Sequence, residues 1–479
     1  MHQSEREGTG QGGLTIAEAL NRAPFSPFHL RALFATAVGF FASAYDLFII
    51  GIALELIREQ WRLSAQMTGL VGGIALLATV AGAFTFGHLA DRYGRKSIYG
   101  IEAGLMVLGA LLSAAAQNIT MLLIARAILG FGIGGDYPLS AVLMTEYANT
   151  KTRGRMVALV FSAQALGLIA GPMVALSLLV AGVDHDLAWR IMLALGALPA
   201  AAVIYARRRL PESPRWLARA RGQTLQATHN LLSVTRGTVI NTREDPVIRE
   251  SITRYWKALI GTAGTWFIFD YAYYGNTIST PLIMRTLSPH AGFLQNIALS
   301  LLVFSVAAVP GYILAILSID HIGHRRLQLI GFGVLSAAFF LLGELPELSG
   351  LSSIFILVYS ISYLFSEFGP NTTTFILSAE LFPVNLRTTC HGISTGIAKI
   401  GAFLGAFLFP VILSSVGLYN TLKITAMFSL LGFGVTWLFI REPAGQSLEL
   451  LSGEISMDAV KTLPEVQSDR AGVQYASNQ

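Results

Sequence analysis

The sequence predicts an all-α membrane protein with twelve transmembrane helices arranged in two halves of six. Three observations indicate this fold class: the composition, the number of long apolar segments, and short motifs that occur in both halves. Of the 479 residues, 53% are hydrophobic and only 13% are charged, and the mean hydropathy is +0.58. Soluble globular proteins carry about 25% charged residues, so the composition excludes an ordinary soluble protein.

Twelve segments are apolar and long enough to cross a bilayer, for which about 20 residues are needed. We number them spans 1 to 12, and they lie near residues 31–56, 65–88, 97–117, 119–145, 155–181, 187–206, 257–286, 294–317, 327–345, 351–378, 389–416 and 420–440. They predict an N-terminal segment (1–30), a six-helix half (31–206), a polar connection (207–256), a second six-helix half (257–441) and a tail (442–479).

Basic residues are concentrated in the connections on one side of the predicted membrane. The connections after spans 2, 4, 8 and 10 contain Arg92, Arg95, Lys96, Lys151, Arg153, Arg155, Arg325, Arg326 and Arg387. Among the opposite connections, the first carries Arg58 and Arg62, and the others are short and almost free of basic residues. Loops rich in lysine and arginine stay in the cytoplasm. We therefore expect a monomer in the plasma or inner membrane, with both termini cytoplasmic and no nucleic-acid partner.

Three motifs occur in both halves in the same order. The copies in the first half are GHLADRYGRK (87–96), the pair Glu146 and Arg153, and LPESPRW (210–216). The copies in the second half are LSIDHIGHRR (317–326), the pair Glu380 and Arg387, and REPAGQSLE (441–449). Such a duplication is typical of secondary transporters, whose substrate site lies near the membrane midplane between the repeats.

Span 7 carries polar residues in the stretch GTWFIFDYAYYG. Trp266, Asp270 and Tyr274 are four residues apart and share one helix face. An ionised carboxylate at this depth is costly, so Asp270 either forms a fixed pair with a buried cation or acts in transport. Burial and a neighbouring anion both favour the protonated form of a carboxylate. A protonated Asp270 can donate a hydrogen bond to an oxyanion, and loss of the proton expels the anion.

Spans 10 and 11 contain two further candidates. In FGPNTTTFILSAE (368–380) the Gly-Pro pair breaks the helix and presents the amide of Asn371. The alternative is a kinked packing helix whose threonines bond back to carbonyl groups. Lys399 lies about 18 Å along the helix from Arg387. A buried ammonium needs an anionic partner, for which we expect Asp270 in the empty site; snorkelling to the surface is the alternative.

The first half has its own intramembrane polar residues: Asp46 in span 1, Glu102 in span 3, Arg126, Asp136 and Tyr137 in span 4, and Gln164 in span 5. We expect the three carboxylates and Arg126 to form one ion-pair and proton network. In the alternative, Arg126 is satisfied by carbonyl groups and Glu102 is partly solvated at the end of its span. Cys390 is the one cysteine and is interpreted as a packing residue. No His/Cys cluster suggests a metal, and no constellation suggests an enzyme.

The loop motif with Gly87, Asp91, Gly94, Arg95 and Lys96 resembles that of the major facilitator superfamily, and PESPRWL (211–217) resembles its sugar-porter-like branches. The stretches that carry a narrower resemblance are GGDYPLS, Gln164, the WxxxDxxxY of span 7, FGPNTTTF, and CHGIS (390–394) followed by Lys399. Together they resemble the phosphate:proton symporter family of this superfamily, the group with the fungal high-affinity phosphate transporters.

This resemblance implies a major facilitator fold and assigns roles to individual residues. It implies a phosphate site formed by Tyr137, Gln164, Trp266, Asp270, Tyr274, Asn371 and Lys399. It implies proton coupling through Asp46, Glu102, Arg126, Asp136 and Asp270. The resemblance also implies a gating role for the loop motif, which we expect to hold for its repeat and for the Glu–Arg pairs as well. The residues concerned are Gly87, Asp91, Arg95, Asp320, Arg325, Glu146, Arg153, Glu380 and Arg387.

The sequence therefore predicts proton-coupled uptake of inorganic phosphate by alternating access, without a cofactor or a metal. A facilitator for another anion or a sugar is the alternative within this class, and phosphate binding with indifference to sugars would separate the two. A membrane sensor is the alternative from another class, and it would bind phosphate with negligible transport.

Overall fold

The computed structural model describes residues 13–235, 242–280, 283, 292–345 and 352–455, so parts of the predicted terminal segments and connections lie outside the described residues. The described chain is mainly helical. Its one strand pairing joins Leu14–Thr15 to Thr242–Arg243, which ties the N-terminal segment to the central connection.

All twelve predicted spans contain helix. Spans 1 to 6 are Pro27–Trp61, Ala65–Tyr93, Ile101–Ala114, Ile119–Tyr147, Arg153–Val180, and the pair His185–Leu195 and Ala197–Arg208. Spans 7 to 10 are Trp256–Ile278, then Phe293–Val303 with Val309–Ile322, then His324–Glu344, and then Ser352–Ser366 with Thr372–Glu380. Arg387–Phe439 is bent at Gly417 and supplies spans 11 and 12.

A count of long apolar helices in the structure gives a lower number than the twelve predicted spans. In the described residues, 10 helices are long and apolar enough to cross a membrane, and Arg387–Phe439 is a single helix in that set. The bend at Gly417, where φ is 79°, divides it in two. Trp256–Ile278 is not in the set although it is 23 residues long. Its polar residues, which lower its hydropathy, are the ones of functional interest.

Span 10 is interrupted where the sequence predicts a break. A π-helical turn covers Glu367–Asn371, and Gly369 leaves helical geometry with φ −110° and ψ −107°. Pro370 has no N–H group and its ring displaces the preceding turn. The hydroxyls of Thr372, Thr373 and Thr374 donate to the carbonyl oxygens of Glu367, Gly369 and Pro370 at 2.6, 2.9 and 2.7 Å. These threonines therefore stabilise the kink.

Span 2 packs against span 11 across the two halves, and span 5 packs against span 8. Gly87 lies in the first contact, where an added Cβ would be 2.7 Å from the carbonyl oxygen of Thr388. A larger residue would force the two backbones apart.

The side of the molecule that carries the central connection, here called the linker face, uses the same arrangement twice. Asp91 accepts hydrogen bonds from the backbone N–H groups of Thr388 and Thr389, at 3.3 and 2.6 Å, where span 11 begins. Asp320 accepts from the backbone N–H of Arg155 at 3.1 Å, where span 5 begins. Carboxylates are favourable at helix N-termini, which carry unpaired N–H groups and positive partial charge. Each half thus caps a helix of the other.

Two glutamates join the halves beside these caps. Glu146 pairs with Arg95 at 3.1 Å and with Arg387 at 3.0 Å. Glu380 pairs with Arg153 at 2.8 Å, and His324 lies 3.5 Å from its second oxygen. These pairs of Glu146 and Glu380, here called the clamp, therefore lie at equivalent positions of the internal duplication.

The expectation for Arg325 needs correction. Gly94 and Gly323 both have φ 99°, so the position that matches Arg95 is His324 rather than Arg325. The Arg325 guanidinium donates to the carbonyl oxygen of Trp437 at 3.0 Å and covers the Trp437 ring at 5.2 Å. Arg325 therefore packs within its own half, whereas the pairs of Glu146 and Glu380 join the two halves.

The C-terminal segment is anchored to the central connection by a buried ion pair. Glu449 pairs with Arg215 and accepts from the Nδ2 of Asn21 at 3.1 Å. Arg219 binds Asp245 at 3.1 Å and Glu454 at 2.7 Å. Burial opposes the charge on Glu449, but the guanidinium groups of Arg215 and Arg219 outweigh it and lower the pKa of Glu449 to about 2.

The change Glu449→Gln should cost about 3 kcal/mol of stability at pH 7, because it leaves a buried guanidinium unpaired. The folded-state pKa lies below the ordinary value of 4.5, so the contribution of Glu449 is complete above about pH 4.5 and is lost as the pH falls towards 2. Thermal unfolding of the purified protein in detergent, followed from pH 7 to pH 3, measures this difference.

The matched control is Glu250→Gln, which removes the partly exposed partner of the exposed Arg254. Exposed pairs contribute little, so its unfolding temperature should equal that of the unmodified chain. Equal effects of the two changes would contradict the assignment of Glu449 as an anchor.

Candidate functional site

A buried lysine lies at the centre of the molecule. Lys399 of span 11 donates from Nζ to Asp270 Oδ2 at 2.8 Å and to the Tyr274 hydroxyl at 3.1 Å. Asp270 and Tyr274 are one helical turn apart on span 7 and therefore face the same neighbour. Span 11 approaches span 7 closely at Gly401 and Gly405, where an added Cβ would collide with carbonyl oxygens of span 7. These glycines bring Lys399 within reach of the carboxylate.

Three aromatic rings surround the ammonium group. The centroids of Tyr274, Tyr137 and Trp266 lie 4.5, 4.6 and 5.9 Å from Lys399 Nζ. Ring faces attract a cation, and more strongly when water is excluded. Because Tyr137 comes from span 4, this cluster joins the two halves. Phe48 of span 1 stacks on Tyr274 at 5.6 Å and adds a second contact from the first half.

The seven residues predicted to bind substrate are all deeply buried. Their exposed fractions lie between 1 and 3% for Tyr137, Gln164, Trp266, Asp270, Tyr274, Asn371 and Lys399. These side chains are therefore shielded from solvent in this structure.

Asn371 and Gln164 belong to a second polar group beside Lys399. Asn371 Nδ2 donates to the Tyr312 hydroxyl at 2.9 Å and to the Glu367 carboxylate. Gln164 interacts with the Tyr273 hydroxyl, which donates to Glu367 Oε1 at 2.9 Å. Tyr273 and Tyr274 are adjacent in span 7 and connect this group to the lysine.

Glu367 was missed by the sequence reasoning. It is fully buried and collects the hydrogen bonds of the second polar group. The signal that selected Asp270, a carboxylate inside an apolar span, was present here as well. The adjacent Gly-Pro pair is the stronger local signal in the sequence, and it points to backbone geometry.

The expected single proton network in the first half is divided in two. Arg126 donates to the backbone carbonyl oxygen of Asp46 at 3.0 Å. In the described residues the Asp46 carboxylate oxygens have no hydrogen-bond partner. Gly196, at the break in span 6, leaves room for this carboxylate, since an added Cβ would collide with it.

The second part of the expected network depends on an arginine that the sequence analysis placed outside the membrane. Arg207 pairs with Glu102 and with Asp136, both at 2.7 Å, and is fully buried. The Ser140 hydroxyl donates to Asp136 at 2.6 Å. Span 6 continues to Arg208, past its predicted end at 206, and Arg207 supplies the cation that we had expected from Arg126.

Comparison with known proteins agrees with this architecture. Residues 32–454 match the family described as "Sugar (and other) transporter". The Oryza sativa subsp. japonica protein named "Probable inorganic phosphate transporter 1-12" is 35% identical, over 92% of this chain and 94% of that protein. The Arabidopsis thaliana protein named "Probable inorganic phosphate transporter 1-3" is 34% identical, over 93% of this chain and 99% of that protein.

Solved structures show the same fold. The major facilitator superfamily proton:xylose symporter XylE matches with a TM-score of 0.78 at 19% identity, over 89% of this chain and 99% of that chain. The human organic anion transporter MFSD10 matches with a TM-score of 0.64 at 16% identity, over 85% of this chain and 99% of that chain. The chain is therefore a multi-pass membrane transporter and not an enzyme, and it belongs to the sugar (and other) transporter family of the major facilitator superfamily, in the branch of the inorganic phosphate transporters.

Proposed function

We propose that this chain takes up inorganic phosphate together with protons by alternating access. The observation that supports this most is the buried Lys399, shared by Asp270 and Tyr274 and surrounded by Tyr137 and Trp266. In the described residues Lys399 is the one fully buried lysine. The relatives named inorganic phosphate transporters support phosphate as the anion.

Charge balance links phosphate to a proton at this site. The ion pair of Lys399 with Asp270 is neutral as a whole. A phosphate anion adds one or two negative charges, and buried charge without compensation is strongly unfavourable. A proton on Asp270 cancels one of these charges and releases the ammonium from its carboxylate partner. Lys399 then pairs with phosphate, while the neutral acid donates a hydrogen bond to it.

The neighbouring donors complete the proposed site. The hydroxyls of Tyr137 and Tyr274, the indole N–H of Trp266, and the amides of Gln164 and Asn371 are all able to donate to an oxyanion. Such a donor set in a closed site replaces the hydration shell of the ion. A sugar site has no need of the buried Lys–Asp pair.

A second proton route is proposed in the first half. The carboxylate of Asp46 lies beside Arg126 without a hydrogen-bond partner in the described chain, which suits a group that gains and loses a proton. Glu102 and Asp136 are held by Arg207 instead, and we assign this group a role in positioning span 4.

Alternating access requires the halves, proposed as 31–206 and 257–441, to separate on one side at a time. We propose that the linker face is cytoplasmic and that the pairs of Glu146 and Glu380 keep it closed. These pairs join side chains and helix ends of opposite halves. They can therefore break and form again as the halves separate and close. The protein is proposed to act as a monomer in the plasma or inner membrane.

Replacement of the central pair should separate binding from coupling. In proteoliposomes, Lys399→Ala should lower labelled-phosphate uptake by about 100-fold or more, because Asp270 and phosphate both lose their cation. Asp270→Asn should weaken the stimulation of uptake by an inward proton gradient, since the amide does not titrate and one coupled proton is lost. Uptake of labelled phosphate with and without the gradient measures both effects.

Lys423→Ala is the control for Lys399→Ala, because Lys423 forms a partly exposed pair with Glu344 at 2.9 Å. Its uptake should match that of the unmodified protein. Full uptake by Lys399→Ala, or no phosphate uptake by folded unmodified protein, would contradict the proposed function.

The orientation is testable with single cysteines, since the one native cysteine, Cys390, is buried. In a Cys390→Ala background, a cysteine replaces either Leu225 on the linker face, which is 90% exposed, or Asp184 on the opposite face. A membrane-impermeant maleimide added to intact cells should label Asp184→Cys and not Leu225→Cys. The reverse pattern would show that the linker face is outside.

A further inference from the structure

We propose that Glu367 is an additional proton site of the transport cycle, which releases the Asn371 amide to phosphate when it is protonated. We further propose that a chain of hydroxyl groups delivers its proton from the face opposite the linker face. This inference rests on the proposed phosphate transport and adds a residue, a route and a coupling device to it.

Among the described residues, the Glu367 carboxylate is surrounded by hydrogen-bond donors and is paired with no cation. Tyr273 of span 7 donates to Oε1 at 2.9 Å, and Asn371 of its own span donates to Oε2. The hydroxyl of Tyr312 on span 8 also donates to the carboxylate. Span 9 approaches this turn at Gly331, which has no titratable side chain. A buried carboxylate is ordinarily paired with a cation or neutral, so this site favours reversible protonation.

In the part of the chain that the structure describes, few titratable or charged groups lie near Glu367. Tyr273, Tyr312 and Tyr363 face it from spans 7, 8 and 10. The charged groups in the neighbouring site are Asp270 and Lys399, which are paired with each other. Protonation of Glu367 therefore depends on tyrosine hydroxyls and on Asn371.

Asn371 provides the link between this proton and the substrate. Its Nδ2 carries two hydrogens, and both are in use, one towards the Tyr312 hydroxyl and one towards Glu367. An ionised carboxylate only accepts hydrogen bonds, whereas a protonated one donates through its O–H. A proton on Glu367 thus weakens its hold on Asn371, and one amide hydrogen becomes available to a phosphate oxygen.

A set of buried hydroxyl groups begins at the end of span 7 that lies away from the linker face and leads towards Glu367. The Thr280 hydroxyl, just past the end of span 7, lies 3.2 Å from that of Tyr359 and 3.1 Å from that of Tyr363. The Tyr363 hydroxyl donates to Thr277 Oγ1 at 2.9 Å. From Thr280 to Tyr273 the distance along the helix is about 10 Å.

A small cavity lies at the remaining step. Its lining combines the polar side chains of Tyr273, Asn276, Thr277, Ser362, Tyr363 and Ser366 with the apolar side chains of Ala272, Leu335 and Phe339. The Oδ1 atom of Asn276 is buried and has no hydrogen-bond partner among the described residues. The unpartnered oxygen and the neighbouring hydroxyl groups suit one ordered water molecule, which would connect Tyr363 and Thr277 to Tyr273.

The proton balance of the route is simple. Each hydroxyl or water gives its proton to the next group and receives one from the group before it. The proton that arrives through Tyr273 ends on Glu367, which becomes neutral. It leaves towards the linker face when phosphate departs, and Glu367 again accepts from Asn371.

The test uses Glu367→Gln in the full-length protein reconstituted in liposomes. Glutamine preserves the volume and, with one acceptor oxygen and one donor NH₂ group, mimics the protonated acid, but it carries no titrating proton. Phosphate counterflow at equal pH on both sides should persist, while the number of protons carried per phosphate, measured from the pH gradient that stops net flux, should fall by one. Tyr363→Phe leaves the Glu367 contacts intact and should slow gradient-driven uptake by about tenfold or more, with the proton number unchanged.

Glu344→Gln is the matched control, since Glu344 lies in an exposed pair with Lys423 at the end of span 9. An unchanged proton number in Glu367→Gln would overturn the inference, as would an equal loss of counterflow and gradient-driven uptake in that variant. Failure of the unmodified protein to transport phosphate would instead overturn the proposed function, so the two failures are distinguishable.

Discussion

The ion pair between Lys399 and Asp270 is the interaction on which the rest of the site depends. An ammonium in the middle of a membrane protein is costly, and here the cost is met by a carboxylate at 2.8 Å, a hydroxyl at 3.1 Å and three aromatic rings. The site has no net charge only while no anion is bound beside the pair. Any anion that enters requires a further positive charge, and a proton is the natural source.

Charge pairing also holds the two halves together at the linker face. Asp91 and Asp320 cap helices of the opposite half, and Glu146 and Glu380 pair with arginines across the interface. Each contact lies between the halves, so the face can open without disturbing the packing within either half. The internal duplication gives both halves equivalent parts of the clamp, with His324 in the place of Arg95.

The sequence predicted what depends on periodicity and missed what depends on helix ends and packing. Hydropathy located twelve spans, and the four-residue spacing in span 7 placed Asp270 and Tyr274 on one face, where the structure adds Lys399. Arg207 escaped because hydropathy ends span 6 at residue 206, two residues before the helix ends. Glu367 escaped because its importance comes from Tyr273 and Tyr312, which the fold brings from other spans. Such contacts leave no local pattern.

The most direct test of the central claim is the number of protons taken up when phosphate binds. Calorimetric titration of the purified protein with phosphate, in buffers of different ionisation enthalpy, gives this number without any need for transport. We predict net proton uptake by the unmodified protein, and one proton fewer in Asp270→Asn. Phosphate binding with the same proton uptake in both proteins would contradict the account. It would show that Asp270 does not take up a proton and release Lys399 when phosphate binds.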